Sequence, residues 1–423
     1  MTERVTSTDY RRPHRPLAFG LANQAGALLS RAGLARADLR ADSLVDGARR
    51  RTGLADFGDP ALFDRLRLLS AALDEEAALH PLGRWMVREN VIRMLANRLR
   101  MEQAIREHPE ITERELEPPV FVVGLQRTGT TVLHRLLASD PARRFLPSWE
   151  AVNPAPLPRT VFLSLLDGRG DSRIGAASFA ERALRYMAPD FFAIHPVEAL
   201  APEEDVLLFD YALWSTVPEA TMHVPSFSRW LEAQDHGEAY RFYRRVLQYL
   251  QWQRPGGPWV LKTPHHMEHL DVLFEVFPRA RVLQTHRDPA KVLASFCSMM
   301  AHSRGVFSDA VDPHAVGGHW FAKARRMVAC ALAVREGPAA ERFLDVHYAD
   351  LVADPLRELQ RVYEWLGDPL TAEAEAAMRA WLAANPQHKH GRHRYRLEDF
   401  GLDRDEVSGA FAAYRERFGI AVE

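Results

Sequence analysis

Leu62, Leu66, Leu69 and Leu73 recur at i, i+4, i+7 and i+11, the spacing that lines one face of an α-helix. Asp59 and Pro60 stand where an N-cap and a first helical residue belong. A second helical stretch runs from about Leu82 to Ile105, with Val91, Leu95 and Leu99 on one face. Residues 108–119 open on His108-Pro109-Glu110 and close on Pro118-Pro119, which reads as a linker. Before these helices, residues 1 to about 58 are rich in Arg and Ala with scattered glycine, and only partial order is expected there.

From Val120 the pattern changes. Short apolar runs at 120–123, 259–262, 281–285 and 343–347 are each followed by a helical pattern, at 130–139, 266–277, 290–303 and 355–366. Asp354 and Pro355 start the last helix. Strands alternating with helices across short turns predict a parallel α/β sheet. Ligands in such sheets bind at the carboxyl ends of the strands. The loop at Gly124, the turn at 263–266 and the segment at Arg287 all lie at such ends, so three distant elements should meet in one crevice. Residues 151–258, richer in proline and aromatics, read as a helical insertion covering it. Its Phe191, Phe192, Trp214, Phe227, Trp230 and Tyr240 fit an apolar acceptor pocket, with ordinary core packing the plainer reading.

The first of these loops carries the most chemistry. Gly124-Leu125-Gln126-Arg127-Thr128-Gly129-Thr130-Thr131 follows a strand and opens a helix, the layout of a phosphate cradle. A nucleoside triphosphatase has lysine directly after the second glycine, to reach the β- and γ-phosphates. Here that position is Thr130, and the cation is Arg127, two residues before Gly129. The cradle therefore suits an anion shorter than a triphosphate.

Composition narrows the picture further. The net charge of -2 argues against a nucleic-acid binder. Cys297 and Cys330 are the two cysteines, too few for a disulfide framework or a cysteine metal site, and a reducing compartment is expected. Residues 1–16 have no apolar signal-peptide region, and no apolar run reaches membrane-span length, so a cytoplasmic protein is expected.

The loop Gly-Leu-Gln-Arg-Thr-Gly-Thr-Thr resembles the 5′-phosphosulfate loop of sulfotransferases that use 3′-phosphoadenosine-5′-phosphosulfate (PAPS). Two more segments carry the likeness. Arg287, in His286-Arg287-Asp288-Pro289, and Ser295 eight residues on are spaced like the family's 3′-phosphate site. Lys262-Thr263-Pro264 is similar to a turn of the glycan and tyrosylprotein branches. The N-terminal helices look like those of a bacterial subgroup, so the likeness spans the chain from about residue 50.

The resemblance implies a P-loop α/β fold, a parallel sheet flanked by helices, with residues 1–117 a helical extension and 118–423 the sulfotransferase domain. It implies PAPS as co-substrate, no metal, and transfer to a hydroxyl or amine of a small-molecule, lipid or glycan acceptor. The backbone of Thr128, Gly129, Thr130 and Thr131 would hold the 5′-phosphate, and Arg287 with Ser295 the 3′-phosphate. Tyr348 would lie near the adenine, and Arg392, in the basic segment 390–395, would cover the phosphates. Arg127 and Lys262 would stabilise charge on the sulfuryl oxygens. Glu150, in the segment after the loop helix, would be the general base, with His265 the alternative.

Plainer readings stand beside these. Glu150 taken alone is a surface or capping carboxylate, and His265 and His266 cap or pack. The basic tract 388–396 is phosphate cover first, a solvated loop second and a metal site a distant third. Pro202-Glu203-Glu204-Asp205 reads as the acidic first turn of a helix, matching its dipole. The Leu62–Leu73 stripe is core, with a dimer face the alternative. Two rival functions remain, a small-molecule kinase and a non-catalytic nucleotide-binding protein on the same scaffold.

Overall fold

The computed structural model describes residues 9–10, 13, 15–34, 36–158, 171–386 and 395–423. Its centre is a sheet of β1 (Val120–Val123), β2 (Arg144–Phe145), β3 (Trp259–Lys262), β4 (Arg281–His286) and β5 (Phe343–His347). The strand order is β2-β3-β1-β4-β5, and every pairing is parallel. β1 lies in the middle, with Val122 opposite Lys262 on one side and Leu283 on the other. The loops after β1, β3 and β4 thus leave the sheet side by side.

Every residue of β1 and β3 is buried, as expected of a sheet covered on both faces. Successive side chains alternate between two cores. Phe121 and Val123 join the larger core, which includes the N-terminal helices. Val120 and Val122 face the other way, against Leu133, Leu136 and Leu137 of the helix that follows the glycine loop.

The N-terminal region is more ordered than its composition predicts. It holds α1 (Leu17–Arg31) and α2 (Ala41–Thr52), followed by α3 (Leu62–Glu75) and α4 (Pro81–Glu107). Leu44 and Ala48 of α2 are fully buried, because the spacing i, i+4 gives even this Arg-rich helix one apolar edge. The leucine stripe of α3 is interior: Leu62, Leu66, Leu69 and Leu73 all belong to the larger core. That leaves no dimer face there.

After β1 the chain forms α5 (Thr130–Leu137), and before β3 it forms α6 (Gly237–Gln253). Beyond β4 come α7 (Pro289–Gly305), α8 (Pro313–Arg335) and, after β5, α9 (Pro355–Leu366). The helix predicted over 266–277 is instead a 3₁₀ turn, Pro264–Glu268, and a separate helix, Leu270–Val276. Thr263 caps the turn through its hydroxyl, and His269 leaves helical geometry at φ -138°. β2 and α8 are absent from the sequence reading. β2 is two residues long, and Gly317 and Gly318 interrupt the apolar pattern of α8. Gly317 serves packing, since a Cβ there would lie 2.1 Å from the Phe400 carbonyl oxygen. Among the described residues, no helix is long and apolar enough to cross a membrane.

Candidate active site

The loop after β1 is built around backbone shapes that side chains rarely adopt. Gly124 has φ +146°, and a Cβ there would fall 2.2 Å from Thr285 Oγ1. Gly129, the N-cap of α5, has φ +94° and is not backed by a side-chain cap. Arg127 also lies in the left-handed region, at φ +69°, which strains a non-glycine residue and re-aims the chain. The first N–H groups of a helix have no intrahelical acceptor, so the uncapped start of α5 offers them to an anion. Thr128 contributes backbone only, because its buried hydroxyl donates to the Leu125 carbonyl at 2.6 Å and lies 2.5 Å from Thr285 Oγ1. Thr130 is buried, and Thr131 is exposed at the mouth of the loop.

Arg127, Arg287, Ser295 and Tyr348 meet beside this loop. Arg127 Nε donates to Ser295 Oγ at 3.1 Å, and Arg287 Nη1 donates to the Arg127 carbonyl at 3.3 Å. The Arg287 guanidinium stacks over the Tyr348 ring, 3.9 Å from its centroid, and that ring packs against Gly129. The outer fork of Arg287 is engaged by Glu423, with Nε to Oε1 at 2.8 Å and Nη2 to Oε2 at 2.7 Å. These bonds hold the Glu423 carboxyl below the usual carboxylate range. A planar fork that takes a carboxylate in this way takes a phosphate equally well. A cavity of about 300 Å³ opens next to Glu423, walled by Ala290, Lys291, Ala294 and Tyr395. Arg392 and the rest of 390–394 lie outside the described residues.

At the end of β3, Lys262 is buried and its ammonium lies 2.5 Å from Glu204 Oε1. Thr263 Oγ1 donates to the other oxygen of Glu204 at 3.4 Å. The next residue, Asp205, locks this carboxylate in place. Its N–H bonds the Lys262 carbonyl at 3.4 Å, and its own carboxylate accepts from the Tyr243 hydroxyl and from His266 Nε2, the latter at 2.9 Å. Tyr240 closes the network on His266 Nδ1 at 2.7 Å. Burial pushes the Asp205 carboxyl up, but attraction to His266 and the hydrogen bonds from His266 and Tyr243 bring it below its ordinary value. Reading Glu203, Glu204 and Asp205 as a helix-dipole turn is therefore corrected. The helix they precede has four residues, Val206–Phe209, and Asp205 at its start makes no side-chain cap. The charges of Glu204 and Asp205 are spent on tertiary partners, and Glu203 Oε1 accepts from the Glu204 N–H at 2.9 Å.

His195, which the sequence does not single out, is half-buried and packs against Phe191. Burial lowers its pKa, Glu203 and Glu204 oppose that, and Lys262 and Arg127 add to it. All four charges thus lie within electrostatic reach of one imidazole.

Glu150 is elsewhere. It is 1% exposed and clamped by two guanidiniums. Arg254 contributes Nε at 2.9 Å and Nη2 at 3.0 Å, and Arg144 approaches at 3.3 Å while stacking over Trp259, 4.2 Å from its ring. Both carboxylate oxygens are occupied at the corner beyond β2. His265 is equally withdrawn: it is 2% exposed, neither ring nitrogen has a partner, and it faces the rings of Phe209 and His269. Of the insertion aromatics, Trp214 and Trp230 stack on each other, and Phe227 and Tyr240 are core residues. The Lys262 pairing of Glu204 and the Arg254 pairing of Glu150 cross 58 and 104 residues of sequence, beyond the reach of local reading, whereas Arg144 lies six residues before Glu150.

Comparison with known proteins agrees with this geometry. Residues 118–372 match the model of the sulfotransferase family. Sulfotransferase STF9 from Mycobacterium avium superposes with a TM-score of 0.81 at 33% identity, covering 91% of this chain and 98% of that one. Sulfotransferase STF1 from Mycobacterium tuberculosis H37Rv gives a TM-score of 0.77 at 33% identity, covering 89% of this chain and 100% of that one. A curated relative, the omega-hydroxy-beta-dihydromenaquinone-9 sulfotransferase Stf3 of Mycobacterium bovis, is 25% identical over 272 residues, which are 59% of this chain and 63% of that protein. With its parallel sheet, glycine loop and paired arginines, the chain belongs to the sulfotransferase family.

Proposed function

We propose that this sulfotransferase moves the sulfuryl group of PAPS to a hydroxyl, or an amine, of a small-molecule, lipid or glycan acceptor and releases 3′-phosphoadenosine-5′-phosphate (PAP). The observation that carries the reading is the meeting of Arg127, Arg287 and Ser295 beside the uncapped start of α5. It supports two anion seats, one of backbone N–H groups for a 5′-phosphate and one of guanidinium and hydroxyl for a 3′-phosphate. The second phosphate distinguishes PAPS from ordinary adenine nucleotides. Thr130, at the position of a kinase's lysine, counts against the kinase alternative.

Glu204 is the base in this reading, in place of Glu150. It is buried only in part, with 26% of its side chain exposed, and it touches Lys262. On acceptor binding, Glu204 takes the hydroxyl proton as the acceptor oxygen forms its bond to sulfur. The bond from sulfur to the 5′-phosphate oxygen breaks in line, and that oxygen leaves on PAP. Lys262 and Arg127 stabilise charge on the transferred oxygens and the leaving oxygen, so catalysis rests on positioning and electrostatics. For the acceptor, the name of the Stf3 relative favours an apolar alcohol of the hydroxylated isoprenoid quinone type.

Isothermal titration calorimetry with PAP tests the donor. Binding to PAP and weaker binding of ATP with magnesium is the expected outcome. Absence of heat with PAP removes the donor assignment, and tighter ATP binding favours the kinase.

A further inference from the structure

Three buried imidazoles take no hydrogen bond from the Asp205 network, although His265 packs against His266 and His269 against Tyr240. His236 immediately precedes α6, and His265 and His269 lie in and just after the turn that follows Lys262. Their relative exposures are 2%, 2% and 8%. One ring nitrogen of each lies within 4.8 Å of one from each of the others. We propose that His236, His265 and His269 bind one divalent transition metal of the zinc type, which ties the turn after β3 to the start of α6.

The chemistry of the donors supports this. His236 Nε2 lies 3.0 Å from the Leu231 carbonyl, which makes Nε2 the N–H and leaves Nδ1 a bare lone pair with no partner. A metal-binding histidine is commonly oriented in this way, its far nitrogen tied to a backbone carbonyl. His265 has no partner at either nitrogen. A neutral imidazole presents one donor and one acceptor, and leaving either unmet in the interior is unfavourable. A metal ion satisfies the acceptor nitrogens of several rings at once. Three neutral nitrogen ligands with no thiolate suit zinc, copper or nickel better than calcium or magnesium.

The geometry is compatible with such an ion. Zinc bonded to nitrogens at about 2.0–2.1 Å in a tetrahedron sets them about 3.3 Å apart, so the present set closes by at most about 1.5 Å. His236 and His269 now stack with centroids 3.6 Å apart and planes at 20°, and the movement required is a tilt of these rings out of the stack. Lys323 opposes positive charge at all three rings, and Arg326 at His236 and His269, but both cations are themselves countered by carboxylates. Lys323 is surrounded by Glu219 at 3.1 Å, Glu232 at 2.9 Å and Glu268 at 3.1 Å, and Arg326 adds the other cation, on Glu268 at 2.7 Å. Three carboxylates thus face two cations beside the histidines. The ion would hold the backbone that carries Lys262 and would leave the sulfuryl transfer itself metal-free.

The test uses the whole chain after chelator treatment, with metal alone as the probe. Cobalt(II) titration should give the visible ligand-field bands of a four-coordinate site, three imidazoles and one water, saturating at one ion per chain. Zinc should displace the cobalt and raise Tm by at least about 3 °C at hundredfold excess over Kd. His265→Ala and His269→Ala should lose both the bands and the shift. A wild-type protein with no saturable bands overturns the proposal, whether or not the variants fold. Bands of unchanged intensity in folded His265→Ala overturn it as well. PAP binding is read separately by calorimetry, so loss of the metal site and loss of the donor site are distinguishable.

Discussion

Glu150 and Glu204 both follow a turn near the sheet's carboxyl edge and both meet basic side chains, yet their surroundings differ. Glu150 is 1% exposed and held by Arg144 and Arg254 together. Glu204 keeps 26% of its side chain exposed and meets Lys262, the cation at the end of the strand beside β1. The first arrangement fastens a corner: two forks and a carboxylate, most of it out of water, stay together because separating them strands a buried charge. The second leaves a carboxylate beside a cation and open to an incoming hydroxyl. A glutamate becomes a candidate base through what leaves it reachable, and its distance in sequence from the glycine loop is a poor guide to that.

Substitution can break this contrast. The largest effect is expected for Glu204→Gln, which should lower kcat by about 10²- to 10⁴-fold while PAP affinity, measured by calorimetry, changes less than about twofold. Retention of full turnover would remove Glu204 from the mechanism. Glu150→Gln should do the reverse. It should cost about 1–3 kcal/mol of stability in denaturant titration, chiefly through the buried Arg144 guanidinium left without its carboxylate while the part-exposed Arg254 turns to water, and the folded fraction keeps its turnover. If Glu150→Gln instead abolishes turnover in a fully stable protein, the roles assigned to the two residues are exchanged.

The donor end sharpens the comparison. Arg287→Ala should weaken PAP by about 10- to 100-fold, the loss of charged hydrogen bonds to one phosphate, and leave adenosine-5′-phosphosulfate nearly unaffected. Equal loss for both ligands would mean that Arg287 does not read the 3′-phosphate. The smallest effect is expected at Glu423, whose carboxylate lies in the same fork. Glu423→Gln should tighten PAP by at most about fivefold, the strength of an exposed ion pair, with the gain shrinking as salt is added.

Much of the sheet was readable from the chain. The strands at 120–123, 259–262 and 343–347 have the ends predicted for them, because each is a short apolar run closed by turn residues. The Gly124–Thr131 loop was equally plain, since its two glycines sit where positive φ or close approach excludes a side chain. The N-terminal helices were harder to see. Arg49, Arg50 and Arg51 at the end of α2 conceal an apolar edge that matters only once α4 lies against it. Glu204 was legible as an acid before a helix and illegible as a partner of Lys262.

The sequence by itself determined the alternation of strands and helices, the shape of the glycine loop after β1, and the arginine, serine and lysine at the strand ends. These follow from periodicity, from backbone freedom at glycine and from spacing within one or two turns, all of them local properties. The tertiary structure decided which carboxylate meets Lys262, which one is clamped at a corner, and that three clustered histidines share an interior with the turn after β3. Those outcomes depend on burial and on charges brought together across many tens of residues. Apart from Arg144, six residues before Glu150, the partners that settle the two glutamates lie outside any local window of the chain.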